Sequence, residues 1–157
     1  MEKADGTGNV SYDPTNHSTM TDLRQAKVDG IANDIPLAEL DSEGPADVLL
    51  VGWGSTQGAI VAATNNLRAD GASVDRVHLT HIHPFPPNLG ELLKGYTHVI
   101  VPELNKGQLV RILRAEYLVD AKPISKMIGL PFTASELVKE IRAIAGLSLA
   151  TPTGAEA

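Results

Sequence analysis

Apolar residues fall in two regimes along the chain. Up to about residue 44 they are sparse and set among turn formers; from Asp47 onward they come as short runs alternating with helical stripes. In the first regime Asp5-Gly6, Gly8-Asn9 and Asp13-Pro14 are turn-forming pairs around a short alternation at Val10 and Tyr12. A helix is expected from about Ser18, whose hydroxyl can cap the first free amides. Met20, Leu23 and Ile31 share its stripe, Lys27 lies between them, and Gly30 and Pro36 mark its end. Leu37 to Pro45 is acidic and turn-rich and reads as a linker, which puts a domain boundary near Gly44.

The second regime is regular. Val48 to Val51 is a continuous apolar run, the mark of a strand covered on both faces. Gly52 to Gly58 turns the chain into a helix with the stripe Ile60, Ala63, Thr64 and Leu67, stopped by Asp70-Gly71. Val74 to Leu79 alternates as a second strand, ended by Pro84, Pro86 and Pro87. Asn88 is placed to cap a short helix with Leu89, Leu92 and Leu93. His98 to Val101 is a third buried strand, closed by Pro102. Asn105 opens a helix with Leu109, Ile112, Leu113 and Tyr117 inward and Arg111 and Arg114 outward. Ala121 to Ile128 is a fourth, more mixed strand. Thr133-Ala134-Ser135-Glu136 has capping-box spacing, and the helix it starts buries Leu137, Ile141 and Ile144. Gly146 to Ala157 is a small-residue tail expected to fray.

Buried strands alternating with helices predict an α/β domain with a mostly parallel sheet. The domains expected are 1–44 (segment and linker), 45–146 (α/β domain) and 147–157 (tail). Right-handed crossovers gather the loops after each strand along one sheet edge, which carries Gly52 to Gly58, Thr80 to Asn88 and Pro102 to Gly107. A ligand or neighbour would meet the domain there.

Composition narrows the chemistry. The 157 residues carry 13 basic and 19 acidic side chains, a net charge of −6 that disfavours binding to nucleic-acid phosphates. There is no cysteine, so thiol chemistry and iron–sulfur ligation within the chain are excluded. No apolar run approaches the length of a membrane span, and the start has no signal-peptide core, which makes the cytoplasm the expected compartment.

No catalytic constellation stands out. Gly52, Gly54 and Gly58 give GxGxxxG, one residue longer than the dinucleotide fingerprint, and the next strand ends in Leu79, Thr80 and His81 rather than an acid. The plain reading is a tight strand-to-helix turn, whose amides and Ser55 and Thr56 hydroxyls could meet an anion or a partner's carboxylate. His78, His81 and His83 include a metal-like HxH, with His81 and His83 on one face of an extended backbone. Asp75 and Glu91 have no characteristic spacing to that pair. Trp53 reads as core or interface packing and Phe85 as a hydrophobic peg in a rigid Pro84-Phe85-Pro86-Pro87 connector. Glu103 is either a functional carboxylate or a charge answering a helix dipole.

Several motifs in order add a resemblance. Val51-Gly52-Trp53-Gly54-Ser55-Thr56, His78 to Asn88 (HLTHIHPFPPN), and Val101-Pro102-Glu103-Leu104-Asn105-Lys106-Gly107-Gln108-Leu109 are joined by Leu130-Pro131-Phe132 and the leading Thr7 to Pro14 (TGNVSYDP). Together they resemble the C-terminal part of the α subunit of 2-oxoglutarate:ferredoxin oxidoreductases, thiamine-diphosphate enzymes of the 2-oxoacid:acceptor oxidoreductase family. The resemblance runs from about Lys3 to about Ile144. It implies a fold like the transketolase C-terminal domain from Asp47 onward, three αβα layers around a mostly parallel sheet, with the residues before Gly44 as the tail of a pyrimidine-binding domain. It implies an enzyme that converts 2-oxoglutarate, coenzyme A and oxidised ferredoxin to succinyl-CoA, carbon dioxide and reduced ferredoxin. Thiamine diphosphate, magnesium and the iron–sulfur cluster would lie outside this chain. The partners implied are a β subunit and a second α subunit, with ferredoxin and coenzyme A at the level of the complex, but neither nucleic acid nor membrane.

Relatives of this kind are several times longer, so Met1 is expected to begin a fragment or a truncated gene product, inactive alone. The residues expected to serve assembly or the substrate path are Trp53, Ser55, Thr56, His81, Phe85, Glu103 and Asn105; none is assigned a catalytic or metal role. Two other classes stay open on the residues alone. One is a phosphate- or coenzyme A-binding module at the glycine turn, the other a metal-dependent hydrolase using His81 and His83.

Overall fold

Residues 1–148 are described in the computed structural model and divide into two units. The smaller comprises Met1–Leu37 with His81–Pro87; the larger comprises Ala38–Thr80 and the chain from Asn88 onward. The last nine residues, most of the expected tail, lie outside the described residues.

In the smaller unit, β1 (Glu2–Lys3) pairs antiparallel with β2 (Val10–Ser11), and α1 spans Pro14–Gly30, followed by a 3-10 turn at Ile31–Asn33. The helix starts four residues earlier than Ser18. The Asp13 carboxylate accepts from the Thr15 amide at 3.0 Å, and Pro14 sits in the first turn, where its missing N–H leaves no bond unmade. The pair that reads as a turn is therefore a helix start. The Asn16 side chain ties α1 to the first strand, donating to the Lys3 carbonyl and accepting from the Asp5 amide. No residue of this 17-residue helix is buried, and its expected apolar stripe stays open: Leu23 is 48% and Ile31 47% exposed.

The larger unit holds β3 (Leu40–Asp41), β4 (Val48–Trp53), α2 (Gln57–Ala69), β5 (Val74–Leu79), α3 (Leu89–Lys94), β6 (His98–Glu103), α4 (Gln108–Tyr117), β7 (Lys122–Ser125) and α5 (Ala134–Ala145). The sheet order is β3-β5-β4-β6-β7, parallel except for the β3 edge. Val48 and Leu50 face one side with Ile60, Ala63 and Leu67 of α2 and Leu137 and Ile141 of α5. The alternate residues Leu49, Val51, Val99 and Val101 point the other way and are as fully buried, as are Leu89 and Leu93 of α3 and Leu109 and Leu113 of α4. The expected three-layer αβα architecture is the one observed. No helix among the described residues is long and apolar enough to cross a membrane.

Four local readings change. Leu40–Asp41, expected in a linker, is the edge strand: Asp41 is gripped by Arg68 at 2.8 Å and Arg76 at 2.6 Å, so the acidity marks ion pairing. Asn88 does not cap α3. Its side-chain amide closes a ring with Ala38, accepting from the backbone N–H at 2.8 Å and donating to the C=O at 2.9 Å. Pro102 lies inside β6, beyond the last β4–β6 pair at Leu50↔Ile100, where a residue without an N–H interrupts no second ladder. In α4 the inward residue is Val110 rather than Ile112, which is exposed, and Arg114 folds back to bond the Ala121 carbonyl.

The capping box forms as expected. The Thr133 hydroxyl accepts from the Glu136 amide and the Glu136 carboxylate accepts from the Thr133 amide. Gly146, with φ +65°, closes α5, and Leu147 returns to the core, so the chain does not fray there. Lys126 above all, then the Thr133 amide and hydroxyl, hold the Glu136 carboxyl down at about 2 against an ordinary 4.5. Because the folded-state value is depressed, the contribution of this cluster is complete above about pH 4.5 and is lost as pH falls toward 2. Following the Glu136 carboxyl resonance by NMR should give a midpoint near 2. Lys126→Ala should move that midpoint up toward the usual carboxylate range.

Candidate functional site

From β4 the chain crosses to β5 on one side and later returns to place β6 on the other. The strand order therefore reverses between β4 and β6, and in open parallel sheets the crevice beyond such a reversal is where ligands and neighbours enter. Here it is small: about 200 Å³, lined by Trp53, Gly54, Ser55, Thr56, Leu104 and Asn105. Trp53, Ser55, Thr56 and Asn105, four of the seven expected site residues, thus meet in one place.

Each wall of the crevice has a local cause. Trp53 ends β4, half-buried opposite Leu79. Gly54 follows at φ +56°, a conformation that favours glycine, and starts the single 3-10 turn that leads into α2. The Thr56 hydroxyl is buried and engaged inside that turn, donating to the Trp53 carbonyl at 2.8 Å, whereas Ser55 is exposed. On the β6 side the Asn105 carbonyl oxygen accepts from the Gly107 and Gln108 amides at 2.8 and 2.9 Å, folding the loop before α4.

Glu103 behaves differently from a ligand-facing carboxylate. It is fully buried, and its two oxygens accept from the Leu109 amide at 2.8 Å and the Val110 amide at 3.0 Å. Both bonds satisfy orphan donors in the first turn of α4, so the charge is used inside the fold. His81 and Phe85 lie in the smaller unit, where residues 81–83 are not strand, so the alternation that put His81 and His83 on one face does not apply. No group of three or more His, Asp or Glu side chains among the described residues could hold a metal ion.

The structure adds a cluster that spacing did not show. Gly52 lies within β4 opposite His78, and a Cβ there would come within 2.6 Å of Ile60 Cδ1 and 3.1 Å of His78 Nδ1. That nitrogen is buried without a partner, and desolvation lowers the histidine's pKa. Gly58, by contrast, faces open space. A cleft of about 690 Å³ runs beside His78, Arg76 and the β3 edge, larger than the switch-point crevice. Its one cation, Arg76, is already bonded to Asp41, Asn65 and the Val61 carbonyl.

Residues 46–137 match the family model for pyruvate:ferredoxin oxidoreductase core domain II. The chain belongs to that family. Among the relatives of this domain II chain is the 2-oxoglutarate oxidoreductase subunit KorA of Mycobacterium tuberculosis, 48% identical over 91% of the chain and 22% of the relative. Another is the α subunit of 2-oxoacid:ferredoxin oxidoreductase 2 of Aeropyrum pernix, 32% identical over 89% of the chain and 23% of the relative. Among solved structures, the 2-oxoglutarate:ferredoxin oxidoreductase of Magnetococcus marinus, with 2-oxoglutarate, coenzyme A and succinyl-CoA bound, superposes with a TM-score of 0.83 at 32% identity. That match covers 90% of this chain and 25% of that one. The chain thus spans about a quarter of the length of these three proteins, and the family resemblance carried by its motifs holds.

Two substitutions test the local geometry of domain II. Gly52→Ala should lower stability by about 1–3 kcal/mol in urea denaturation, because Ile60 and His78 must both give way. Glu103→Gln turns an amide donor toward a backbone donor and should cost about 2 kcal/mol. Hydrogen exchange at Leu109 and Val110 should quicken with it.

Proposed function

We propose that this domain II chain is the C-terminal part of the α subunit of a 2-oxoglutarate:ferredoxin oxidoreductase, serving subunit assembly and the shaping of the active site. The observation that carries the reading is the 48% identity to a 2-oxoglutarate oxidoreductase subunit, sustained over 91% of the chain. The reaction so assigned is that of 2-oxoglutarate, coenzyme A and oxidised ferredoxin to succinyl-CoA, carbon dioxide and reduced ferredoxin. Residues 1–44 belong, on this reading, to the tail of the preceding pyrimidine-binding domain, and α1, which buries none of its own side chains, supports that placement. The cytoplasm is its compartment.

An iron–sulfur cluster held by thiolates does not fit the residues of this chain. The sequence has no thiolate to ligate iron, and the described residues hold no metal-binding cluster. On this reading, decarboxylation and electron transfer belong to polypeptide outside these 157 residues, in a β subunit and upstream α sequence. What this chain supplies is shape: Trp53, Ser55 and Asn105 on a rigid sheet edge that a neighbouring subunit can approach.

A chimera tests the assignment. The aligned part of the Mycobacterium tuberculosis subunit is replaced by this chain, the product is co-expressed with its partner subunit, and viologen reduction is followed. Reduction that depends on both 2-oxoglutarate and coenzyme A, and exceeds that with pyruvate, is expected. A chimera that neither assembles nor turns over 2-oxoglutarate would remove the proposal.

A further inference from the structure

The loop between β7 and α5 exposes three large apolar side chains within four residues: Met127 at 57%, Ile128 at 67% and Leu130 at 60%. Such exposure is ordinary on a loose loop, but both ends of this one are fixed. The Lys126 amide donates to the Glu103 carbonyl at 3.0 Å. Its ammonium donates to the Pro131 carbonyl at 2.9 Å and to both Glu136 oxygens at 2.8 and 2.7 Å, and lies 5.8 Å from the centre of the Phe132 ring. Phe132 itself is anchored in the core. The three side chains are thus held out on a clasped turn, and part of the backbone entropy cost of ordering it on binding is met in advance.

We infer that this turn is the seat for an uncharged, apolar surface of a partner subunit of the oxidoreductase. The inference rests on the assignment made under Proposed function. Charge selects the occupant. Lys126 is the sole ionisable residue from 126 to 131, and Glu136 neutralises it, so the turn offers nothing to nucleic-acid phosphate or an anionic lipid surface. Its side chains stand exposed, which suits insertion into another surface better than enclosure of a small ligand. A protein surface remains, and the relatives are named as subunits, so their enzymes contain further chains. Because β4, β6 and β7 are parallel, the turn lies on the same sheet edge as the switch-point crevice, and one partner can cover both.

The test uses the chimera described above. A photo-crosslinking amino acid at position 128 should join the partner subunit, identified by mass spectrometry. The triple substitution Met127→Ser, Ile128→Ser, Leu130→Ser should reduce recovered complex roughly tenfold or more, and equally at low and high salt, since apolar contacts are not screened. Leu118→Ser, at an apolar residue 89% exposed where α4 ends, should leave recovery unchanged. A Glu136 titration still near 2 in the triple variant shows that the clasp survives. Crosslinks only to a second copy of this chain or within the same polypeptide, or no crosslink at all, would overturn the inference. So would undiminished recovery of the triple variant. Failure of the unsubstituted chimera to assemble would remove the family assignment and this inference with it.

Discussion

The carboxylate of Glu103 is the interaction on which the working edge of the sheet depends. A buried charge is tolerable only when its lone pairs are answered, and here two amides of α4 answer it. The exchange suits both sides, because a helix start has donors with no intrahelical acceptor. As a result β6 and α4 are locked at a fixed angle across a four-residue connection, and Leu104 and Asn105 are held against the end of β4. The same residue's carbonyl receives the Lys126 amide, so the turn after β7 is set from the same point. One residue thus governs two of the three loop clusters at that edge of the larger unit.

Much of this fold was legible because it rests on short-range pattern. Val48 to Val51, Val74 to Leu79 and His98 to Val101 are apolar runs of strand length, and Thr133 with Glu136 announces a helix start without reference to the rest of the chain. What stayed hidden depends on partners distant in sequence. Asp41 looks like linker acidity until Arg68 and Arg76 are seen to converge on it, and Asn88 looks like a cap until Ala38 arrives from fifty residues away. Glu103 could have been read differently, since a carboxylate six and seven residues before the first apolar pair of a helix is placed to bond their amides.

The glycine turn shows why spacing alone misleads. Its three glycines serve three conditions: Gly52 makes room for Ile60 and His78 inside the sheet, Gly54 takes a left-handed backbone, and Gly58 faces open space. None of these conditions calls for a phosphate, and the hydroxyl buried in the turn, that of Thr56, is bonded to its own backbone. A fingerprint that counts glycines cannot separate these causes, whereas the register Gly52↔His78 separates them at once. The small crevice beside the turn follows from the same geometry, since a strand that packs this tightly against its neighbours leaves little hollow at its end.

What distinguishes a module of a larger enzyme from a self-sufficient one is where its apolar surface remains. In the larger unit both faces of the sheet are closed by helices, and the large apolar residues left most open, Leu118 and the Met127–Leu130 turn, lie off the core. In the smaller unit the opposite holds: Val10, Tyr12, Leu23 and Ile31 are all substantially open, and its long helix buries nothing. An isolated helix of this length is marginal in water without a packed face, so α1 needs a surface that these residues do not supply among themselves. The two units therefore make opposite demands on their surroundings. One is complete in its core and offers a shaped edge; the other is incomplete and must be completed. The proposed assignment answers both demands, since it places the smaller unit against a neighbouring domain of the same polypeptide.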